Sequence, residues 1–189
     1  MTRIDIAAVA AVGEVLAGSM AGKRLLTRLI ESTPEPTQQS ALLLDFRGIK
    51  AATASYLRES ALALKDYYRQ RDSHLFPVAA NLSSETREEL EFCLRAKADV
   101  MLCCSLDASG RVTDLELAGQ LDSNVQLAFF SVQHSNEIDA STIWKKHQKS
   151  QPVSVNAWNN RLSSLHQRGV IFEEVRGRTK VYRPVLQET

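Results

Sequence analysis

Residues 154–183 read SVNAWNNRLSSLHQRGVIFEEVRGRTKVYR, and this stretch decides how the C-terminal third of the chain is interpreted. Ser154 suits the N-cap of a helix, because its hydroxyl can accept a backbone N–H. Gly169 suits the left-handed position that follows a helix. Four apolar residues between them follow the helical period and mark one buried face: Val155, Trp158, Leu162 and Leu165. The pattern predicts a helix between Ser154 and Gly169.

A β-hairpin is predicted directly after this helix. Residues 170–172 form a short apolar strand, 176–178 a turn centred on Gly177, and 180–182 the returning strand. This order is similar to the second half of a winged helix-turn-helix of bacterial regulators, and residues 157–162 and 165–171 carry the resemblance. The alternative is a helix with a merely solvated polar face that packs on a hairpin.

The other face of the predicted helix carries uncharged side chains that donate and accept hydrogen bonds. Such side chains can bind base edges in the major groove of duplex DNA. Base contacts are therefore predicted for Asn156, Asn159, Asn160 and Ser163. Cations at the hairpin are predicted to contact DNA phosphates, namely Arg176, Arg178 and Lys180.

Length and composition are compatible with one large or two small globular domains. The chain has 189 residues, of which 44% are hydrophobic and 24% charged, with a net charge of +1. From Leu121 to the end there are nine Lys or Arg and six Asp or Glu, against fourteen and sixteen before it. This modest positive excess permits nucleic-acid binding at the C-terminal end without requiring it.

Upstream of residue 120, short apolar runs alternate with helical patterns. Strands are predicted at 41–46, 75–82, 100–106 and 112–117, and helices at 12–32, from Thr53 to about Arg71, and after Ser83 or Ser84. Strands and helices that alternate in this way predict an α/β layer with a largely parallel sheet. The predicted domains are residues 1–119 and 120–189, the second of which also contains helices at 121–135 and from Asp139 or Ser141 to His147.

The segment 43–57, LLDFRGIKAATASYL, resembles the central motif of STAS domains, the anti-anti-sigma type of fold. Residues 44–49 match the end of a strand, and 53–57 match the loop and the start of a helix. Tyr56 stands where the STAS-like variant has an aromatic residue and the common form a glycine. The resemblance extends over about 4–117 and implies a STAS-like mixed sheet with helices, followed by a small winged-helix domain.

The resemblance also implies a regulatory site at the start of that helix. In STAS proteins a Ser or Thr at this position can be phosphorylated by a partner kinase, which switches binding. The matching residue is Ser55, with Thr53 nearby, and a helix N-terminus stabilises an added phosphate. Thr53 stands where the common motif has Asp, so the alternative is that Thr53 and Ser55 only cap the helix.

No sequence pattern typical of a catalytic or metal site is present. The histidines and the three cysteines lack metal-binding spacing, and neither GxSxG nor HExxH occurs. Asp45 ends a predicted strand and is interpreted as a residue that fixes the following loop, with a catalytic acid as the alternative. We therefore expect a protein that is not an enzyme and uses no cofactor or metal.

Together these features predict a bacterial regulator in which a STAS-like partner-binding module controls a winged helix that binds double-stranded DNA. The alternative is a non-catalytic adaptor that works with a kinase-like ATPase and does not bind DNA. The odd cysteine count and the absence of a signal peptide suggest the reducing cytoplasm, and no apolar run approaches the roughly 18 residues of a membrane span. A homodimer is compatible with this prediction, because winged helices often bind two half-sites as dimers.

Overall fold

The computed structural model describes residues 1–11 and 13–188. Val12, where the first long helix was predicted to begin, and Thr189, the last residue of the predicted second domain, lie outside the described residues. The chain divides into two compact units, Met1–Gln120 together with Glu188, and Leu121–Gln187. Within the described part, no helix is both long and apolar enough to cross a membrane.

The first unit is built on a five-stranded sheet. Its strands are β1 (Thr2–Asp5), β3 (Ser40–Asp45), β5 (Leu75–Ala80), β6 (Val100–Leu106) and β7 (Val112–Gly119). They lie in the order β1-β3-β5-β6-β7, the first four parallel and β7 antiparallel to β6 at the edge. Two short strands, β2 (Val15–Leu16) and β4 (Ala51–Ala52), form a separate parallel pair. The predicted α/β class with a largely parallel sheet is confirmed.

The helices of the first unit are α1 (Ile6–Ala10), α2 (Ser19–Ser32), α3 (Ala54–Leu57), α4 (Ala63–Gln70) and α5 (Ser84–Ala96). A π-helical turn, Arg58–Leu62, joins α3 to α4, so the predicted helix from Thr53 to about Arg71 is confirmed as one continuous helical segment. The predicted caps are also present, since Thr53 accepts from the Tyr56 N–H and Ser83 from the Thr86 N–H.

The prediction of a helix over 12–32 is wrong in its first part, because α2 begins only at Ser19. Gly18 has a φ of 87°, a conformation that ends any helix running into it. The residues before it leave the helical path because β2 pairs with β4. Gly22 inside α2 has a packing role: a Cβ there would lie 2.7 Å from the Tyr56 carbonyl oxygen.

A buried ion pair connects α4 to the residues around the start of β6. The ammonium of Lys65 donates to Asp99 at 2.6 Å and also to the Val100 carbonyl, and Arg69 reaches the same carboxylate at 2.9 Å. Burial lowers the pKa of Lys65 to about 8, although Asp99 opposes this shift. The ion pair thus joins α4 to the start of β6 with both charges partnered.

The second unit contains three helices and a three-stranded antiparallel sheet. In chain order its elements are α6 (Ser123–Gln133), β8 (Ile138–Asp139), α7 (Ala140–His147), α8 (Val155–Gln167), β9 (Ile171–Arg176) and β10 (Thr179–Pro184). The sheet order is β8-β10-β9. Asp122, Asp139 and Ser154 cap the three helices. The predicted helix after Ser154 and the hairpin that follows it are confirmed.

We expect Gly119→Ala to destabilise the first unit more than any open glycine would. Gly119 has a φ of 88°, and a methyl group there would overlap the Asp99 carbonyl oxygen. Strain and overlap together should lower the free energy of unfolding by about 2–5 kcal/mol, measured by urea unfolding followed by circular dichroism.

The matched control is Gly110→Ala. Gly110 has a similar φ of 82°, but no atom lies within 4 Å of an added Cβ. Only backbone strain then remains, with an expected loss of about 1–2 kcal/mol. Equal losses at the two glycines would show that the approach of Gly119 to Asp99 is unimportant.

Candidate functional site

The carboxylate of Asp45 is buried at the C-terminal end of β3. It accepts hydrogen bonds from Arg3 Nε at 2.8 Å, the Arg47 backbone N–H at 3.0 Å and Asn81 Nδ2 at 2.7 Å. Burial raises the pKa of Asp45, but the bonds from Asn81, Arg47 and Arg3 outweigh burial and hold the pKa below its ordinary value. Asp45 thereby joins β1, its own following loop and the residue after β5.

Asn81 and Arg47 extend this cluster to β6. Asn81 has a φ of 55°, and its side-chain oxygen accepts from the Leu106 N–H at 2.9 Å. The Arg47 guanidinium donates to the Leu106 carbonyl at 3.0 Å. A carboxylate held ionised by several donors is a poor proton donor near neutral pH, so the geometry favours the loop-fixing role predicted for Asp45.

Thr53 and Ser55 lie together at the start of α3, and both are half-buried. Their hydroxyl oxygens are 3.2 Å apart, and the Ala54 N–H between them donates to the Glu89 carboxylate at 3.1 Å. A negative charge therefore already occupies this helix start, and a phosphate on Ser55 would be added beside it. Thr53 acts as the cap, while phosphorylation of Ser55 stays a prediction.

The four predicted base-contact residues of α8 differ in their exposure. Asn156 and Asn160 are exposed and lie one helical turn apart. Asn159 and Ser163 are half-buried, and the Ser163 hydroxyl lies 3.5 Å from the Tyr182 hydroxyl on β10. The structure thus brings Asn156 and Asn160 together on the surface and places Ser163 against the hairpin.

The hairpin β9–β10, called the wing below, carries the three cations predicted to contact phosphates. Arg176 donates to Glu137 at 2.7 Å and to Glu174 at 2.8 Å. Lys180 lies 2.8 Å from Glu173. The exposed Arg178 makes no ion pair with any described residue. Two of the three cations are therefore neutralised within the unit.

Sequence analysis missed a second group of cations in this unit. From Ala140 to Phe172 the chain has no Asp or Glu and five basic residues, namely Lys145, Lys146, Lys149, Arg161 and Arg168. The three lysines are exposed, two in the last turn of α7 and one in the loop that follows. Counting acidic as well as basic residues in each predicted element would have found this span.

The loop between α7 and α8 is fixed by Gln151. Its side-chain N–H₂ donates to Asn124 at 3.2 Å, and its carbonyl accepts from Arg161 at 2.8 Å. The Arg161 guanidinium in turn stacks over the Trp158 ring, 4.4 Å from the ring centroid. This chain of contacts connects the loop to α6 on one side and to α8 on the other.

Two buried cysteines and the arrangement of possible metal ligands bear on thiol and metal chemistry. Burial raises the pKa of Cys103 to about 12 and that of Cys104 to about 11, so both thiols stay protonated near neutral pH. No group of three or more His, Cys, Asp or Glu side chains converges on a metal-sized site in this part of the chain.

No protein-family model matches the chain, and no curated protein gives a significant match to it. The STAS-like and winged-helix resemblances therefore depend on the sequence motifs.

We expect Asp45→Asn to lower the free energy of unfolding by about 1–3 kcal/mol at pH 7, because the bonds from Asn81 and the Arg47 N–H lose their charged acceptor, while the half-exposed Arg3 adds little. The pKa of Asp45 is lower in the folded than in the unfolded chain. Its stabilisation is therefore present above the unfolded pKa and is lost as the pH falls through the folded pKa. The difference in the free energy of unfolding between wild type and Asp45→Asn should therefore become smaller in acid, as measured by urea unfolding across this pH range.

The control is Asp72→Asn, at an exposed aspartate with a φ of 48°, a conformation that asparagine tolerates. Its stability should follow that of the wild type at each pH. If the difference in the free energy of unfolding between wild type and Asp45→Asn stayed constant from neutral pH into acid, the conclusion that the ionised carboxylate stabilises the fold would be wrong.

Proposed function

We propose that this chain is a regulatory protein whose second unit is a winged helix-turn-helix that binds duplex DNA. The order of elements in that unit supports the proposal: helix, short strand, helix, helix and hairpin, with β8 completing a three-stranded sheet. In this arrangement α7 and α8 are the two helices of a helix-turn-helix, and α8 is the one that enters the major groove.

The exposed polar face of α8 is the observation that carries the proposal. Asn156 and Asn160 lie in the N-terminal half of α8, the part through which recognition helices contact bases. An asparagine amide can bind adenine through two hydrogen bonds. Residues four apart in a helix are separated by roughly 6 Å along the axis, close to two steps of about 3.4 Å between stacked base pairs.

The charge distribution agrees with a polyanionic partner. Duplex DNA repels carboxylates, and the 33 residues from Ala140 to Phe172 contain none. These residues comprise α7, the loop after it, α8 and the start of β9. The carboxylates of the unit lie instead at Asp122, Glu137, Asp139, Glu173 and Glu174.

For the first unit we propose a STAS-like module that binds a protein partner and controls the DNA-binding unit. Asp45 at the end of β3, the left-handed Gly48 with a φ of 84° and the Thr53 cap follow the order of the STAS motif. They place Thr53 and Ser55 beyond the carboxyl end of a parallel strand, where loops of α/β sheets commonly form binding sites. A kinase-like ATPase is the proposed class of partner.

The wing favours a second candidate, an adaptor that does not bind DNA. Its ion pairs from Arg176 to Glu137 and Glu174, and from Lys180 to Glu173, leave it with little free positive charge. A winged helix whose wing cations are mostly paired with carboxylates is also suited to docking another protein. In that case substitution of Arg176, Arg178 and Lys180 together would leave the activity unchanged.

We expect the purified protein to bind a labelled duplex of about 20 base pairs in fluorescence anisotropy, with affinity falling steeply between about 50 and about 200 mM salt. A preferred duplex is then selected from a random pool. Asn156→Ala/Asn160→Ala should weaken binding to the selected duplex by about 10–1,000-fold and binding to random duplexes much less, because base contacts supply specificity.

The matched control is Asn136→Ala, at an exposed asparagine in the loop after α6. It should bind both duplexes as the wild type does. Absence of binding to any duplex at the lower salt concentration would contradict the DNA-binding proposal, and the adaptor would take its place.

A further inference from the structure

We infer that the main phosphate-binding surface of the second unit is the α7 lysine cluster, Lys145, Lys146 and Lys149, and not the wing. This inference rests on the proposed DNA-binding function. It names the surface that holds the DNA backbone while α8 contacts the bases.

The wing is poorly suited to bind phosphates. Arg176 donates to Glu137 and Glu174, and these partners raise the pKa of its guanidinium above the ordinary value. A phosphate at Arg176 would have to displace both carboxylates and would then lie beside them. A phosphate at Lys180 would likewise have to displace the carboxylate of Glu173. Arg183, the fourth cation of the wing, lies 3.5 Å from Glu174. Carboxylates beside a bound phosphate oppose its binding, so the wing offers chiefly Arg178.

The α7 lysine cluster has no such competition. All three side chains are exposed, and none makes an ion pair with a residue that the structure describes. Asp139, the acid that precedes the cluster, is engaged as the cap of α7, where it accepts from the Thr142 N–H at 2.7 Å. The three ammonium groups are therefore free to meet a phosphate chain.

Stabilisation of α7 itself is the alternative role for these lysines, because cations stabilise the C-terminus of a helix. Carbonyl groups at the end of α7 already accept hydrogen bonds from residues other than the lysine side chains. The His147 carbonyl accepts from the backbone N–H groups of Ser150 at 3.0 Å and Gln151 at 2.7 Å. Gln148 donates to the Lys145 carbonyl at 3.3 Å. Hydrogen-bonded capping therefore does not account for the three lysines, and the helix dipole favours only Lys145 and Lys146, since Lys149 lies beyond the end of α7.

The cluster is also well placed relative to the base-contact residues. Lys149 lies five residues before Ser154, the cap of α8, and Gln151 between them holds the loop to α6 and α8. In a helix-turn-helix the first helix crosses the DNA backbone while the second enters the groove. Lysines at the end of α7 therefore meet the backbone when Asn156 and Asn160 face the bases.

The test compares two triple variants of the full chain on a random duplex of about 20 base pairs, over a series of salt concentrations. Lys145→Gln/Lys146→Gln/Lys149→Gln should weaken binding at least about tenfold at low salt and reduce the slope of log K against log salt by roughly 2–3, since each lost phosphate contact removes about 0.9. Arg176→Gln/Arg178→Gln/Lys180→Gln should change the slope by about 1 or less.

The control for net charge is Lys23→Gln/Lys50→Gln/Lys97→Gln, which removes three exposed lysines from the first unit. Thermal unfolding of each variant verifies that the fold is kept. If the lysine-cluster variant binds like this control, or if the wing variant loses as much affinity and slope, the inference is wrong while DNA binding stands. If the wild type binds no duplex at low salt, the proposed function and the inference fail together.

Discussion

The burial of Trp158, Leu162 and Leu165 is the constraint on which the candidate DNA interface depends. None of these side chains is exposed. The Arg161 guanidinium stacks over the Trp158 ring, and the ring centroid of His147, the last residue of α7, lies 5.5 Å from that of Trp158. Rotation of α8 by one residue, about 100°, would move the indole out of the core. Removing a buried aromatic side chain lowers the free energy of unfolding by about 3–5 kcal/mol, which sets the scale of the cost of this rotation. Packing thus decides that Asn156 and Asn160 face outward.

Charge placement in the two units follows from similar packing. In the first unit, the buried Asp45 and the partly buried Asp99 hold strands, loops and α4 together through arginine, asparagine and lysine partners. In the second unit, the carboxylates cap helices or pair with cations of the wing. The charged residues of α7, α8 and the loop between them are all basic. The same side chains that stabilise the fold therefore leave one surface of the second unit suited to a polyanion.

Local signals were sufficient for most of the fold. Ser154, Thr53 and Ser83 cap helices as predicted, and the apolar period of α8 marked its buried face, because both features depend on neighbours in sequence. The start of α2 depends on Gly18, which is a local signal, and on the pairing of β2 with β4, whose partners Val15 and Ala51 are too far apart in sequence for a local pattern to reveal. The polar face of α8 was predictable for the same local reason. In the wing, the pairing of Arg176 with Glu174 is local as well, but its pairing with Glu137, 39 residues away, could not be predicted from the sequence.

A titration of ¹⁵N-labelled protein with duplex DNA, followed by NMR, tests the DNA-binding account most directly, since the side-chain amide signals of asparagines report on their own contacts. The account predicts that the side-chain amides of Asn156 and Asn160, together with backbone amides at residues 145–149, shift as duplex is added. Most other asparagine amides, such as that of Asn81, should stay in place. Shifts confined to the first unit, or no shifts at low salt, would contradict it.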